Sequence, residues 1–220
     1  MVLLRAVRSH MRNLTASAPR LARIAGALYL LNIVAGAFAI GYVSSVAPTI
    51  HANEALLRAG VAAHLVVTLT NPALTLIFYE LFKVVNRRLA ILAAFFGLVA
   101  TGIEGASLFL QADHPVVPAY DVYTTFFGFD LMTIGYLVYR STFLPRAIGV
   151  LLVIDGATYI AYSFAHILVP GFAGHLVPWS QLPILAGEGS LTVWLLVVGI
   201  NAGRWGERDR TASTPLASLV

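Results

Sequence analysis

Apolar residues run through this chain in blocks of about twenty, and short polar, turn-rich stretches separate the blocks. The first block, Ile24–Val43, carries no charge and matches the ~20 residues a helix needs to cross a bilayer. Five more follow: Ala55–Phe82, Leu89–Gln111, Val122–Tyr139, the run from Arg146 to His166, and Ile184–Ile200. The breaks contain Ser44, Ser45, Pro48, His51 and Asn53, then Lys83, Arg87 and Arg88, then Asp113-His114-Pro115 through Pro118, Tyr120 and Asp121. A Gly/Pro/Trp segment, Gly171–Pro183, precedes the last block, and its Trp179 suits a water–lipid boundary. This pattern predicts an all-α protein, a polytopic membrane bundle of six transmembrane helices over residues 23–203. A basic N-terminal segment (1–22) precedes it and a polar, disordered tail (204–220) follows.

Polar residues inside the blocks fall on stripes. In FLPRAIGVLLVIDGATYIAYSFAH, starting at Phe143 and read as a helix from Arg146, Asp155, Tyr159, Tyr162 and His166 stand at i, i+4, i+7 and i+11. His64, Thr68, Asn71 and Thr75 repeat those intervals in the second block, with Pro72 expected to kink it. Glu104, Ser107 and Gln111 lie in the third block, Asp130 in the fourth, and Glu188 with Thr192 in the sixth. An ionisable group in a membrane span is costly, so each of these is a functional-site hypothesis.

Composition removes the soluble alternative: of 220 residues 59% are hydrophobic and 11% charged, with a mean hydropathy of +0.82, against roughly 25% charged for a soluble domain. The absence of cysteine excludes disulfides, thiolate metal sites and cysteine nucleophiles. Arg5, Arg8 and Arg12 stand in a segment without a small-residue cleavage site, which reads as a cytosolic basic tail and not as a signal peptide. Thirteen of the fourteen basic residues fall at the N-terminus, after the second and fourth blocks, or in the tail; Arg58 alone lies opposite. Both termini are therefore expected in the cytoplasm, with the chain in the cytoplasmic (inner) membrane.

At 1.5 Å per residue, His64, Asp130 and Glu188 lie roughly 9 to 12 Å below the outer boundary and Glu104 near the same level. Asn71 and Asp155 lie nearer the midplane, and Tyr162 and His166 at the boundary or above it. These depths predict a polar cavity opening outward. Three carboxyls at one depth repel, which favours a protonated acid beside an ionised one, or a bound cation. The expected catalytic set is Asp130, Glu188, Glu104 and His64; the expected substrate-binding set is Asn71, Asp155, Tyr159, Tyr162, His166 and Trp194.

Each group also has a plain structural explanation. A single buried His64 is more often an interhelical hydrogen-bonding residue than a catalyst, Asn32 on the first helix would cap Asp155, and Tyr159 and Tyr162 would pack with their hydroxyls partnered. For Asp130, Glu104 and Glu188 function outweighs packing. There is no HExxH, GxSxG, Walker loop or close histidine pair. His64, His166 and two carboxylates have the ligand chemistry of a metal site, but no spacing demands one, and His166 is too shallow to share a haem with His64. No metal or other cofactor is assigned. The basic residues follow topology without interleaved aromatics, which argues against nucleic acid. The expected partners are the bilayer and a lipid or isoprenoid-like small molecule.

A weak internal repeat is present. Arg23, Gly26, Leu28 and Asn32 match Arg146, Gly149, Leu151 and Asp155 at an offset of 123, and Asn71, Leu74 and Thr75 match Glu188, Leu191 and Thr192 at 117. The first hairpin thus resembles the last in the same orientation, unlike the inverted repeats of many transporters.

ARIAGALYLL at the start of the first span, Asn86-Arg87 after the second, LPRAIGVLL at the fifth and GEGSLTVWLLVVG in the last make the chain similar to a bacterial six-span family catalogued as domain of unknown function 4386, over about residues 20 to 203. The resemblance implies membrane location and the bundle, and supplies no catalytic residues. Function then rests on the polar groups: an acid/base enzyme using Asp130 or Glu188, with His64 or Tyr162, on a lipid or isoprenoid-like substrate from the outer leaflet. The alternative is a non-catalytic small-molecule binding, transport or accessory protein. The enzyme is favoured because acids at one depth do not form a path across the membrane.

The native chain lacks cysteine, so single cysteines report topology directly. His114→Cys should react with a membrane-impermeant thiol reagent added outside, and Asn86→Cys with reagent reaching the cytoplasmic face; the opposite labelling would invert the assignment.

Overall fold

The computed structural model describes residues 2–43, 54–110 and 119–213, and within these every regular element is helical. The helices are α1 (Val2–Gly36, continued as a π-helical stretch Ala37–Val43), α2 (Glu54–Phe82), α3 (Arg87–Leu110), α4 (Ala119–Arg140), α5 (Arg146–Leu168), α6 (Pro170–Val197) and α7 (Ala202–Ser213). Each of α1 to α5 packs on its successor and α6 returns to α1, so six helices form a closed ring, with α7 lying against α1. Large apolar side chains such as Leu69, Leu76, Phe95 and Val197 point out of the ring, the pattern of a bundle whose solvent is lipid.

Four helical stretches are long and apolar enough to cross a membrane: Ser17–Ala39, Glu54–Phe82, Arg87–Ser107 and Arg146–Leu168. Trp179–Val197 joins Ala202–Ala212 at a 102° bend to make a fifth. The expected fourth span, α4, has the length, but Asp130 stands inside it among threonines and tyrosines and it does not count among them.

Two expected irregular segments are helical instead. The Gly/Pro/Trp stretch belongs to α6, which starts at Pro170, a residue suited to a first turn because it has no N–H to leave unpaired. The supposed disordered tail contains α7. Gly199, at φ +75°, closes α6 in the left-handed conformation and donates its N–H to Trp194 O at 2.8 Å. Asn201 Oδ1 then caps α7 by accepting from Arg204 N at 3.1 Å. The buried Trp205 donates Nε1–H to Leu81 O at 3.0 Å, while Arg204 reaches Thr142 O and Arg208 reaches Arg140 O. These carbonyls belong to or follow the last turns of α2 and α4, which have no helical partners of their own, and cations there also favour the helix dipoles. A polar composition concealed this docking. Trp205 was its only apolar signal.

The closest packing joins α4 to α5, through glycines seven residues apart on each. A Cβ at Gly156 would stand 2.4 Å from Gly128 O, and one at Gly149 would stand 2.6 Å from Gly135 O. Bare backbone at these crossings lets the two helices approach to contact distance, which is how helices associate where lipid supplies no hydrophobic drive. Gly156→Ala or Gly149→Ala should therefore cost about 1 to 3 kcal/mol by overpacking. Gly102→Ala, with nothing within 4 Å, should leave stability equal or slightly higher. Thermal unfolding of the purified variants in detergent checks this, and equal midpoints for Gly156→Ala and Gly102→Ala would refute the close seam.

Candidate functional site

Buried polar side chains gather at three places inside the ring. The first lies between α2 and α3. His64 Nε2 and Glu104 Oε1 are 3.0 Å apart, and Asn71 Nδ2 donates to Glu104 Oε2 at 3.2 Å, so both oxygens of a nearly inaccessible carboxyl are engaged. The α2 stripe supplies this geometry: His64 and Asn71 are two turns apart and both face α3. Thr68, between them, turns its hydroxyl back to His64 O.

The second place lies at middle depth, where α1, α5 and α6 converge. Tyr159 donates its hydroxyl to Glu188 Oε1 at 3.0 Å. The Tyr29 hydroxyl, from a buried position on α1, approaches the same carboxyl. Asp155 is completely buried and neither of its oxygens makes a hydrogen bond; the Glu188 backbone N–H is near but falls short of hydrogen-bond geometry. The space Asp155 occupies exists because residue 187 is glycine: a Cβ there would stand 2.5 Å from Asp155 Oδ2. Asp130 is accommodated the same way. Its Oδ2 would be 2.9 Å from a Cβ at Gly97, beside Thr75 Oγ1, and a cavity with room for about one water adjoins it, lined by apolar residues including Phe78, Phe82 and Ile134.

The third place is at the far end of α4 and α5. His166 Nδ1 and Asp121 Oδ2 are 2.8 Å apart, His166 stacks on Tyr162 with centroids 6.0 Å apart, and one turn inward the Thr124 and Ser163 hydroxyls meet at 2.6 Å.

A protein-family model described as Domain of unknown function (DUF4386) matches residues 24–199. The chain belongs to that family. It is also 27% identical over 125 residues, 55% of this chain and 72% of the relative, to an uncharacterized protein of Archaeoglobus fulgidus. No solved structure matches it. With its several apolar helices, this DUF4386 member is a multi-pass helical membrane protein.

The expected acidic trio divides differently in the DUF4386 bundle. Glu104 pairs with His64 and Asn71, Glu188 lies beside Asp155 and accepts from Tyr159, and Asp130 stands apart against Gly97 and Thr75. Equal depth in sequence did not mean equal place around the ring. Asn32 does not cap Asp155: its Nδ2 donates to Thr70 Oγ1 at 2.8 Å and to Leu28 O, leaving its Oδ1 buried without a partner. Trp194, on α6, also has a buried and unpartnered Nε1. No group of three or more metal-ligating side chains is assembled among the described residues. Gln111, His51 and His114 lie outside the described residues.

Sequence reasoning passed over Tyr29 and Asp121. Tyr29 sits in a chargeless block, where an aromatic reads as packing; its place one turn before Asn32 was the available signal. Asp121 read as part of a loop, and its partner is 45 residues away.

The buried His64–Glu104 contact can be weighed. An interhelical hydrogen bond in a membrane averages ~0.6 kcal/mol, because the unfolded chain in lipid also finds partners. Stranding one member of a buried acid–base pair costs about 3 kcal/mol or more. His64→Leu should fall in the second class, and His64→Leu/Glu104→Leu should recover part of the loss, because no lone carboxyl remains. Reversible unfolding in mixed micelles measures both, and a loss near 0.6 kcal/mol would class the contact as an ordinary hydrogen bond.

Proposed function

We propose that this protein is a six-span protein of the cytoplasmic (inner) membrane, with both termini cytoplasmic, whose working site is the Asp155–Glu188 carboxyl pair. The pair takes up a proton or a small cation from the extracytoplasmic side, which puts the protein in the binding, transport or accessory class. The observation that carries this reading is Asp155 itself: a carboxyl with no exposure and no hydrogen bond on either oxygen, next to a second acid. Burying such a group is costly unless something neutralises it, and a proton or cation between the two carboxyls is the smallest occupant that does so.

The internal repeat supports the same reading. Residue 32 meets residue 70 in the first hairpin, and residue 155 meets residue 187 in the last, the positions related by the offsets 123 and 117. Thr70 offers Asn32 a hydroxyl, whereas Gly187 offers Asp155 nothing. The later hairpin keeps the polar residue and lacks its partner, an arrangement that helix adhesion alone does not require.

Access from the extracytoplasmic side draws on the distribution of polar contacts. The Asp121–His166 group lies on that side of the pair by the expected topology, and the His64–Glu104 contact lies at about the level of Glu188. Toward the basic end Leu81, Phe82, Leu191, Leu195 and Trp205 close the ring with apolar side chains. An acid/base enzyme for a lipid or isoprenoid-like substrate is the second reading, because two carboxyls and two phenols meet at one place.

Two measurements on the purified protein test the proposal. Wild type should show a protonated-carboxyl infrared band that Asp155→Asn removes, or a rise in thermal stability with added sodium that Asp155→Asn abolishes. Failure of both would sink the ion-site reading. An isoprenoid that copurifies with wild type and is lost from Glu188→Gln would instead select the enzyme.

A further inference from the structure

The Asp121–His166 contact has features that helix packing does not explain. Asp121 stands in the first turn of α4 with its side chain 3% exposed, and His166 in the last turn of α5 with its side chain 48% exposed. Nδ1 is occupied by the carboxyl, which leaves Nε2 as the nitrogen available to solvent, and stacking on Tyr162, with the planes 6° apart, fixes the ring's orientation. A histidine held this way by a buried carboxylate is positioned to accept a proton at one nitrogen and release one at the other. The second oxygen of Asp121 is buried and unpartnered, so the carboxyl retains capacity beyond the imidazole.

Polar groups continue inward from this pair along one face of α5. Ser163 and Thr124, both fully buried, bring their hydroxyls to 2.6 Å, and each also has a backbone carbonyl to donate to, Tyr159 O for Ser163 and Asp121 O for Thr124. One turn deeper Tyr159 donates to Glu188, and Asp155 follows after another turn. The steps 166, 163, 159 and 155 are each three or four residues, about 4.5 to 6 Å of rise, a gap that one bridging water spans. His166 faces Asp121 from α4 and Tyr162 on its own helix. At that end of α6 the described titratable side chain is His175, exposed and turned to Gly171 O.

We propose that Asp121 and His166 form the port through which protons pass between the extracytoplasmic water and the Asp155–Glu188 pair; this rests on reading that pair as a proton site. With the ring proton on Nδ1, a proton arriving at Nε2 drives the Nδ1 proton onto Asp121 Oδ2. Asp121 passes it inward through a bridging water to the Thr124 and Ser163 hydroxyls, each accepting one proton and giving up its own as it turns from its backbone carbonyl, and a second water carries it to the Glu188 carboxyl; the ring then loses its Nε2 proton to water and regains one at Nδ1. No proton is created or lost in the sequence, and no reactant other than water is needed. A hydroxyl pair serving only to hold α4 against α5 would be indifferent to the identity of residue 166.

The test is the rate at which the Asp155–Glu188 infrared band responds to a pH jump, the band being identified by its loss in Asp155→Asn or Glu188→Gln. His166→Ala, a half-exposed site, should slow the response at least about tenfold with an unchanged unfolding midpoint, and added imidazole should restore it. Ser163→Ala should slow it as well. Thr133→Ala on α4, whose hydroxyl turns back to Phe129 O, is off the route and should respond as wild type. A wild-type rate in His166→Ala, or a slowing that imidazole does not rescue, overturns the port while leaving the ion site standing. Absence of any titrating band in wild type overturns the port and the proton reading of the pair, and the sodium response then decides whether the ion site stands.

Discussion

Hydrocarbon offers a polar group no partner, so whatever a membrane helix carries beyond its apolar face must be satisfied within the bundle or be occupied by something that enters it. The ring of six helices follows from that constraint. Asn32 is turned to Thr70, His64 and Asn71 to Glu104, Tyr159 to Glu188, and Thr124 to Ser163, each contact joining neighbours around the ring. Such contacts hold helices in register where area burial cannot, since lipid tails are as apolar as the side chains facing them. The groups that the ring leaves unpaired, Asp155 above all, are then exceptions to a rule the rest of the bundle obeys.

Close backbone approach and polar adhesion work together along α4 and α5. The glycines at 128, 135, 149 and 156 bring the two helices to contact distance, and the hydroxyl pair of Thr124 and Ser163 lies one to two turns outward of the Gly128–Gly156 crossing. A seam this tight admits little adjustment, so the polar residues on its edge, Asp121, Tyr159 and His166, are held on firm backbone. At the opposite end α7 covers the exposed carbonyls of α2 and α4 with Trp205, Arg204 and Arg208, and so closes the side where the core is apolar.

Much of this was legible in the sequence because apolar block length and helical spacing are local properties. Arg146 as the start of the fifth helix, and the stripes at 64, 68, 71, 75 and at 155, 159, 162, 166, needed only the 3.6-residue period. Position around the ring is not local. Depth along the membrane can be counted in residues, but two acids at one depth may belong to different neighbours, as Glu104 and Glu188 do. Asp121 and His166 meet at the open end of one hairpin, 45 residues apart, Trp205 and Leu81 meet only once the whole ring is arranged, and α7 has a composition that resembles a tail until its one tryptophan finds a carbonyl.

The repeat shows what distinguishes a structural polar residue from one free to act. Asn32 and Asp155 occupy equivalent places in two hairpins, each facing the helix that follows in its own hairpin. Where the facing residue is Thr70, the amide donates to a hydroxyl and the contact is an interhelical tie. Where it is Gly187, the backbone comes so near that no side chain fits, and an acid stands in place of the amide with nothing to bond. Exchanging amide for acid while replacing threonine by glycine removes a stabilising bond and adds a buried ionisable group, two changes that each act against stability. That one bundle carries both at one position, with Glu188 and the hydroxyls of Tyr29 and Tyr159 close by, is what the proposed ion site rests on.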